Sequence, residues 1–292
     1  VNITQQANGK APDMPAPSSP TTLWGMSGPV RRRLSWTRAA SAGLLAVLVL
    51  FALIGPLVWR QYAGQDLSQF LRPPSFAEPF GNDHLGRSVI ARLAHATRLS
   101  LGLALLCVTT AGIAGVALGL LAAWRRGWVD QLLLGISEIF LALPALLIVL
   151  IFAALASGEM WTIYLGIALA QWVEYFRVVR ARSLSVFASP AVEAANLLRL
   201  GPVHVLRRHL CPELAPVLLT MASLGMATAV LAMSTLSYVG VGLKPPTAEL
   251  GLLITESLPF YYEAPWMVAA PIVVLLLLLS GLLGLRTQEV RR

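Results

Sequence analysis

Ser189–Pro216 reads SPAVEAANLLRLGPVHVLRRHLCPELAP, a polar and proline-broken stretch between two long apolar segments. Neither apolar neighbour has the means to dock a soluble partner; this stretch has. Ser189 followed by Pro190 predicts a helix start, with a hydroxyl to cap free N–H groups and a proline where no N–H is needed. Glu193 falls in the first turn, where negative charge suits the helix dipole. Gly201-Pro202 predicts a break. A second short helix is expected beyond it, with Val203, Leu206 and Leu210 on one face and His204, Arg207 and Arg208 elsewhere. Pro212 and Pro216 are expected to stop that helix. The expectation is two short helices joined by an elbow, lying along a membrane surface rather than through it.

The composition agrees with a membrane setting. The chain is 57% hydrophobic and 12% charged, with a mean hydropathy of +0.71. That is the balance of a polytopic helical membrane protein, not of a soluble domain. The net charge of +8 does not argue for nucleic acid, because the arginines flank apolar runs as the positive-inside rule requires. Cys107 and Cys211 fall in an apolar run and at the polar stretch. No disulfide and no metal-ligand spacing is predicted.

Outward from the opening stretch, residues 1–30 are rich in Pro, Ser, Gly and Ala and are expected to form a disordered cytoplasmic tail. Residues 31–60 form a first membrane anchor. Arg31, Arg32, Arg33 and Arg38 precede the apolar run Ala39–Trp59, and Trp36 and Trp59 bracket it like interface residues. Residues 61–98 are expected outside as a loop. Its five flanking or internal arginines (Arg60, Arg72, Arg87, Arg92 and Arg98) are the one exception to the positive-inside pattern. Within it, Phe80–Leu93 reads as a surface helix after a Gly-Asn-Asp turn, and His84 as structural rather than a ligand.

Residues 99–292 are read as the membrane core. Further spans are predicted at about Leu99–Ala123, Gln131–Ala154, Trp161–Val179, Val217–Val239 and Trp266–Leu285, with both termini cytoplasmic. A coupling loop, 183–216, is included in this core. Gly112, Gly115 and Gly119 give the second span a face that another helix can approach closely. Pro144 is expected to kink the third span. Ser157-Gly158-Glu159 makes a short external turn. Glu138 and Glu174 read as ion pairs with nearby arginines, Glu174 with Arg177. Ser223, Thr228, Ser234 and Thr235 on the fifth span suit a polar pathway or gate, and with the glycines of the second span they suit two helices that shear past one another.

There is no GxxxxGK[ST] phosphate loop, no HExxH and no GxSxG, so the chain is read as no enzyme. A channel or secondary transporter driven by an ion gradient is the alternative of another class. It would carry ionisable residues deep in its spans. Their scarcity here points to energy supplied from outside the chain.

Glu193-Ala194-Ala195, the following Gly201-Pro202 and Cys211-Pro212 resemble the EAA loop of bacterial ABC importer permeases. Arg199 stands where that family usually has its glycine. Gly81-Asn82-Asp83-His84-Leu85-Gly86-Arg87-Ser88 resembles the GTDxLGRD signature of the second permease in peptide and nickel importers, with Asn82 for Thr and Ser88 for Asp. Leu236–Gly242 and Pro245-Pro246-Thr247 resemble the family's LSFLGLG…PPT stretch, with Leu250 at its tryptophan. The resemblance implies an all-α membrane protein of six transmembrane helices with the type I ABC importer permease fold. It also implies a second permease, two ATPase subunits that hold ATP and Mg, an extracytoplasmic substrate-binding protein and a bacterial inner-membrane location. No cofactor is expected in this chain. Glu193, Ala194, Ala195, Arg199, Gly201 and Pro202 would couple to the ATPase. Gly81, Asp83, Leu85, Gly86 and Arg87 are family signature residues with no role derivable from sequence. The cargo implied is a peptide, or nickel and its metallophore complexes.

Overall fold

The computed structural model describes residues 36–59, 62–76, 78–155 and 159–285. The expected tail over 1–30, the arginines at 31–33, 60, 286, 291 and 292, and residues 157–158 of the external turn lie outside the described residues. The described chain is helical. In order come α1 (Trp36–Val58), α2 (Val89–Arg125), α3 (Gly127–Ala142), α4 (Ala145–Leu155), α5 (Met160–Phe187), α6 (Pro190–Leu197), α7 (Gly201–Val205), α8 (Cys211–Tyr238), α9 (Leu250–Ser257) and α10 (Pro265–Gly284). Among the described residues there are no strands, only an isolated bridge between Asn82 and Ser88.

Four helical rods are long and apolar enough to cross a membrane: α1, α2, the continuous stretch Gly201–Tyr238 and α10. The pair α3 and α4 would make a fifth, but it is bent by 81°. Pro144 therefore breaks this segment instead of kinking it. Leu143 sits extended at φ −101°, ψ 137°, as the proline ring demands of its predecessor. α5 is long but interrupted by Gln171, Glu174 and Arg177, and is not among the apolar rods. Val47, Leu50, Leu53, Ile54 and Leu57 of α1 are exposed. An apolar band of that kind suits hydrocarbon and not water.

α2 is the centre of the packing. It begins at Val89, so residues 89–98, expected in the external loop, form its first turns. The surface helix expected over Phe80–Leu93 is instead an irregular buried turn running straight into α2. The small-residue face of α2 meets α5. A Cβ on Gly115 would lie 2.4 Å from Tyr175 Cβ, 2.7 Å from the Trp172 carbonyl oxygen and 2.9 Å from Phe176 N. One on Gly119 would lie 2.8 Å from the Phe176 carbonyl oxygen. Two backbones touch here because no side chain stands between them. These two glycines therefore face α5, while α2 meets α8 elsewhere, with Val108 against Gly225. α1 docks on α2 through Gly55 against Ala94, and on α10 through Gly281 against Leu45. Leu103 and Cys107 of α2, Ile167 of α5, Val230 and Met233 of α8 and Leu278 of α10 share one core cluster.

The α2–α5 contact makes a testable difference between glycines. Gly115→Ala is expected to lower stability in detergent by about 1–3 kcal/mol, because backbone cannot move aside as a side chain can. Gly102→Ala, with nothing within 4 Å of its added methyl, is expected to be neutral or slightly stabilising. Thermal melts of the two variants check this.

Candidate functional site

The opening stretch forms a hooked elbow on the end of α5. Ser189 caps α6, its Oγ accepting from Val192 N at 3.4 Å, with Pro190 in the first turn. Val192, Ala195 and Val205 are buried against Val186 and Phe187. Phe187 in turn meets Trp124 of α2 edge to face at 6.0 Å. The elbow is thus pinned to the ends of both central helices. Val205, not the expected Val203, is its inward residue; Val203 is exposed. The Glu-Ala-Ala triplet now has a spatial reading. Glu193 and Ala194 face outward, and Ala195 is buried beneath them. Leu197 and Leu198, 81% and 71% exposed, form an apolar tip. An open groove of about 640 Å³ separates the elbow from the end of α2, with Asn196, Arg199 and Pro202 on one wall and Trp124 and Arg126 on the other.

The position of Arg199 explains why a glycine is the family's usual residue there. α6 ends with Leu200 N donating to the Ala195 carbonyl at 3.1 Å and Arg199 N to the Asn196 carbonyl at 3.0 Å. This pair of bonds is the Schellman closure, which needs a left-handed residue just past the helix. Arg199 supplies it at φ +53°, and Gly201 follows at φ +76°. The departure in sequence therefore leaves the elbow's path intact at the cost of strain in a residue with a Cβ.

The second helix of the elbow does not stop where the prolines predict. α7 passes through a π-helical turn, Leu206–Leu210, directly into α8. Cys211 N bonds the Leu206 carbonyl across that wider turn. Pro212 lies in the first turn of α8, where its missing N–H costs little, and Pro216 is carried inside the helix. A push on the elbow therefore has an unbroken helical route into the membrane.

The polar residues of α8 divide between two environments. Thr228 and Thr235 are exposed and line a cavity of about 330 Å³ between α4, α5 and α8, with Gln171 and Glu174. Gln171 Nε2 donates to the Gly225 carbonyl at 2.9 Å and to Thr228 Oγ1 at 3.0 Å, tying α5 to α8. Ser234 is turned away; its Oγ donates to the buried Glu249 at 3.0 Å, and Glu249 caps α9 by accepting from Leu252 N at 3.0 Å. Ser223 donates to the Leu219 carbonyl of its own helix at 3.1 Å and does not line that cavity. The expected ion pairs of Glu138 and Glu174 are absent among the described residues. Arg180 instead grips Asp130 of α3 with both ends of its guanidinium, and Arg182 lies 3.8 Å from Glu213.

The signature residues 81–88 build a structural lock. Gly81 and Gly86 sit at φ +63° and +73°, and an added Cβ on Gly86 would lie 1.7 Å from the Asp66 carbonyl oxygen. Asp83 Oδ1 accepts from Leu85 N and Arg87 N, both at 2.9 Å. Its Oδ2 accepts from Arg87 Nε at 2.7 Å and Arg92 Nη1 at 3.0 Å. Both arginines continue to Glu256 of α9, at 3.3 and 2.6 Å. The Asp83 and Arg87 side chains are 2% and 3% exposed. Two positive and two negative charges thus neutralise one another and join loop, α2 and α9. His84 stacks on Phe260 at 5.0 Å, the structural part expected of it. Nearby, the Ser68 hydroxyl and N–H hold the Asp66 carboxyl below the usual carboxylate range. Glu256 escaped the sequence reading because it lies 169 residues from Arg87. Among the described residues no group of three His, Cys, Asp or Glu side chains is placed to hold a metal ion.

With this geometry in view, residues 115–291 match the family described as binding-protein-dependent transport system inner membrane component. The chain is 29% identical over 273 residues to the dipeptide transport system permease protein DppC of Alkalihalophilus pseudofirmus, covering 92% of this chain and 90% of that protein. It is 30% identical over 232 residues to the nickel transport system permease protein NikC of Escherichia coli, covering 79% and 83%.

Two outcomes follow from the lock and the elbow. Asp83→Asn is expected to destabilise the fold by about 3–5 kcal/mol, because it leaves two buried guanidiniums against one carboxylate. Adding Arg92→Gln should recover part of that loss, which denaturation of the single and double variants measures. Arg199→Gly should raise stability by about 1 kcal/mol through relief of the left-handed strain, read as a higher melting temperature with unchanged helicity.

Proposed function

The chain belongs to the family of binding-protein-dependent transport system inner membrane components, and from that premise we propose that it forms one half of the translocation pathway of an ATP-driven importer. It is a permease subunit, and its work is to change shape when another subunit pushes it. The observation that carries this reading is the elbow. Its inner face is locked onto α5 while Glu193, Leu197 and Leu198 face outward with no partner among the described residues. An outward carboxylate over an apolar tip suits insertion into a groove of an ATPase subunit with a basic residue opposite Glu193.

The proposed assembly has a second related permease, two cytoplasmic ATPase subunits that bind ATP and Mg, and a substrate-binding protein outside. In this arrangement six spans are counted by adding α5 to the four apolar rods and the bent α3–α4 pair. The arginine clusters at the elbow and at the ends of the chain support cytoplasmic termini. The external side then carries the lock of Asp83, Arg87, Arg92 and Glu256. Closure of the ATPase dimer on ATP draws the two elbows together, and the spans open outward to receive cargo. Hydrolysis resets them. A dipeptide is the cargo this reading adopts, since the dipeptide relative is matched over more of the chain than the nickel relative. Nickel or a metallophore complex is the second candidate.

Glu193→Lys is the test. In the complete complex it should reduce ATP-driven uptake at least about tenfold while insertion in the membrane persists, because a repelled elbow no longer moves the spans. Uptake equal to that of the unaltered complex would remove the coupling assignment. Gradient-driven uptake by this chain alone in liposomes would favour a secondary transporter instead.

A further inference from the structure

Glu174 stands out among the acidic groups of the membrane core. It interrupts the apolar run of α5, and among the described residues no basic side chain pairs with it. Arg177 lies one turn on without reaching it, Arg180 is held by Asp130, and Arg182 faces Glu213. Glu174 is exposed, and it is the one ionisable group on the wall of the cavity between α4, α5 and α8 among the described residues. The rest of that wall is apolar except for Gln171, Thr228 and Thr235. A carboxylate so placed is costly to keep unpaired, and side chains of this kind within membrane segments mark the paths of charged solutes.

The register of the wall is fixed. As numbers rise along α5 they fall along α8, because Gln171 bonds Gly225 and Thr228 while Arg182 lies near Glu213. Glu174 is one turn further along α5 than Gln171 on the same side, so its charge lies on the lower-numbered side of the Gly225–Thr228 contact, at the end of the wall away from Thr235. The Thr228 and Thr235 hydroxyls donate to carbonyls of their own helix at 3.0 and 2.7 Å. Their oxygens are thus turned into acceptors toward the cavity. An acceptor-rich wall with one negative charge fits a group that is positive and donates several hydrogen bonds.

We propose that this wall is a cation-admitting station in which Glu174 receives the ammonium terminus of a peptide in transit. The inference rests on the permease reading and adds to it the chemical group that the pathway recognises. An ammonium offers three donors, one to Glu174 and the others to water or to the acceptors it meets along the wall, of which Thr228 is the nearer and Thr235 lies two turns beyond it. A bare divalent ion would find a single carboxylate here, with no histidine or cysteine on the wall.

Two measurements on the assembled complex test it. The first does not depend on transport. Thr228→Cys is placed in a Cys211→Ser background, since Cys211 is exposed, and is labelled with a trimethylammonium and with a sulfonate methanethiosulfonate. The cation is expected to react faster, and Glu174→Gln should lower the cation-to-anion rate ratio roughly tenfold while Glu174→Asp preserves it. A ratio indifferent to Glu174→Gln overturns the proposal. The second compares ATP-driven uptake of a free-amine dipeptide, its N-acetyl form and nickel ions. Glu174→Gln should lower dipeptide uptake about tenfold, with Glu174→Asp restoring most of it. Loss of nickel uptake with dipeptide uptake intact would overturn the ammonium assignment. If the unaltered complex moved none of these solutes on ATP, the permease reading would fall, and the labelling ratio would still decide whether the wall selects cations.

Discussion

Backbone meets backbone where Gly115 and Gly119 of α2 receive Trp172 and Phe176 of α5, and the remaining architecture is hung on that seam. In hydrocarbon the hydrophobic effect gives helices no reason to associate, so close van der Waals contact has to supply it. α5 continues beyond the seam to Phe187, where the elbow is seated, and Phe187 touches Trp124 at the end of α2. The same pair of helices therefore holds the core together and carries the lever. A displacement of α6 reaches α5 through Val192 and Ala195. It reaches α8 through the unbroken helix across the π turn. Two packed routes leave one contact point, which is what the proposed coupling role of the elbow requires.

At the opposite end the chain solves a different problem. Arg87 and Arg92 look out of place when charges are counted along the sequence, because the proposed topology puts them on the side where positive charge is unfavoured. In space they are nearly invisible to solvent, each shared between Asp83 and Glu256. Burial of four charges is not itself a source of stability, since desolvation offsets most of the attraction. What the quartet secures is register. Loop, α2 and α9 are held in the one arrangement that brings both guanidiniums to Asp83 and Glu256, although Arg92 Nε and Nη2 are buried there without a partner.

The helical class, four of the six expected spans and the elbow were legible in the sequence because they rest on local chemistry. A serine-proline cap, a run of apolar residues and a glycine face each declare themselves within a few positions. What was not legible depended on partners far along the chain or on local rules with two outcomes. Pro212 and Pro216 read as stops, yet the helix runs on through a π turn at Leu206–Leu210 and carries both, Pro212 in the first turn of α8 and Pro216 inside it. Ser234 and Thr235 are adjacent in sequence but point to different surroundings, one to Glu249 and one to the cavity. The Arg177 pairing expected of Glu174 followed from helical spacing alone. In space Asp130 had already claimed the best-placed guanidinium, that of Arg180. Arg199 is the reverse case. Its sequence departs from the family, while its backbone takes the left-handed form that the family's glycine is there to allow.

The two treatments of charge separate scaffold from pathway. Where the protein needs rigidity, at the lock and at the Asp130–Arg180 fork, every carboxylate has a guanidinium and the groups are shielded. Where it needs something to pass, Glu174 has no counter-ion among the described residues, on a wall that is otherwise apolar but for Gln171, Thr228 and Thr235. A fixed arginine there would cancel the field and block the cargo's own positive group. An apolar residue would leave the cargo to shed its water with nothing in return. A single unpaired carboxylate lies between these extremes. It attracts a passing ammonium strongly enough to replace part of its hydration. It does not enclose it with enough ligands to hold it, which is the balance a transport pathway needs at each step.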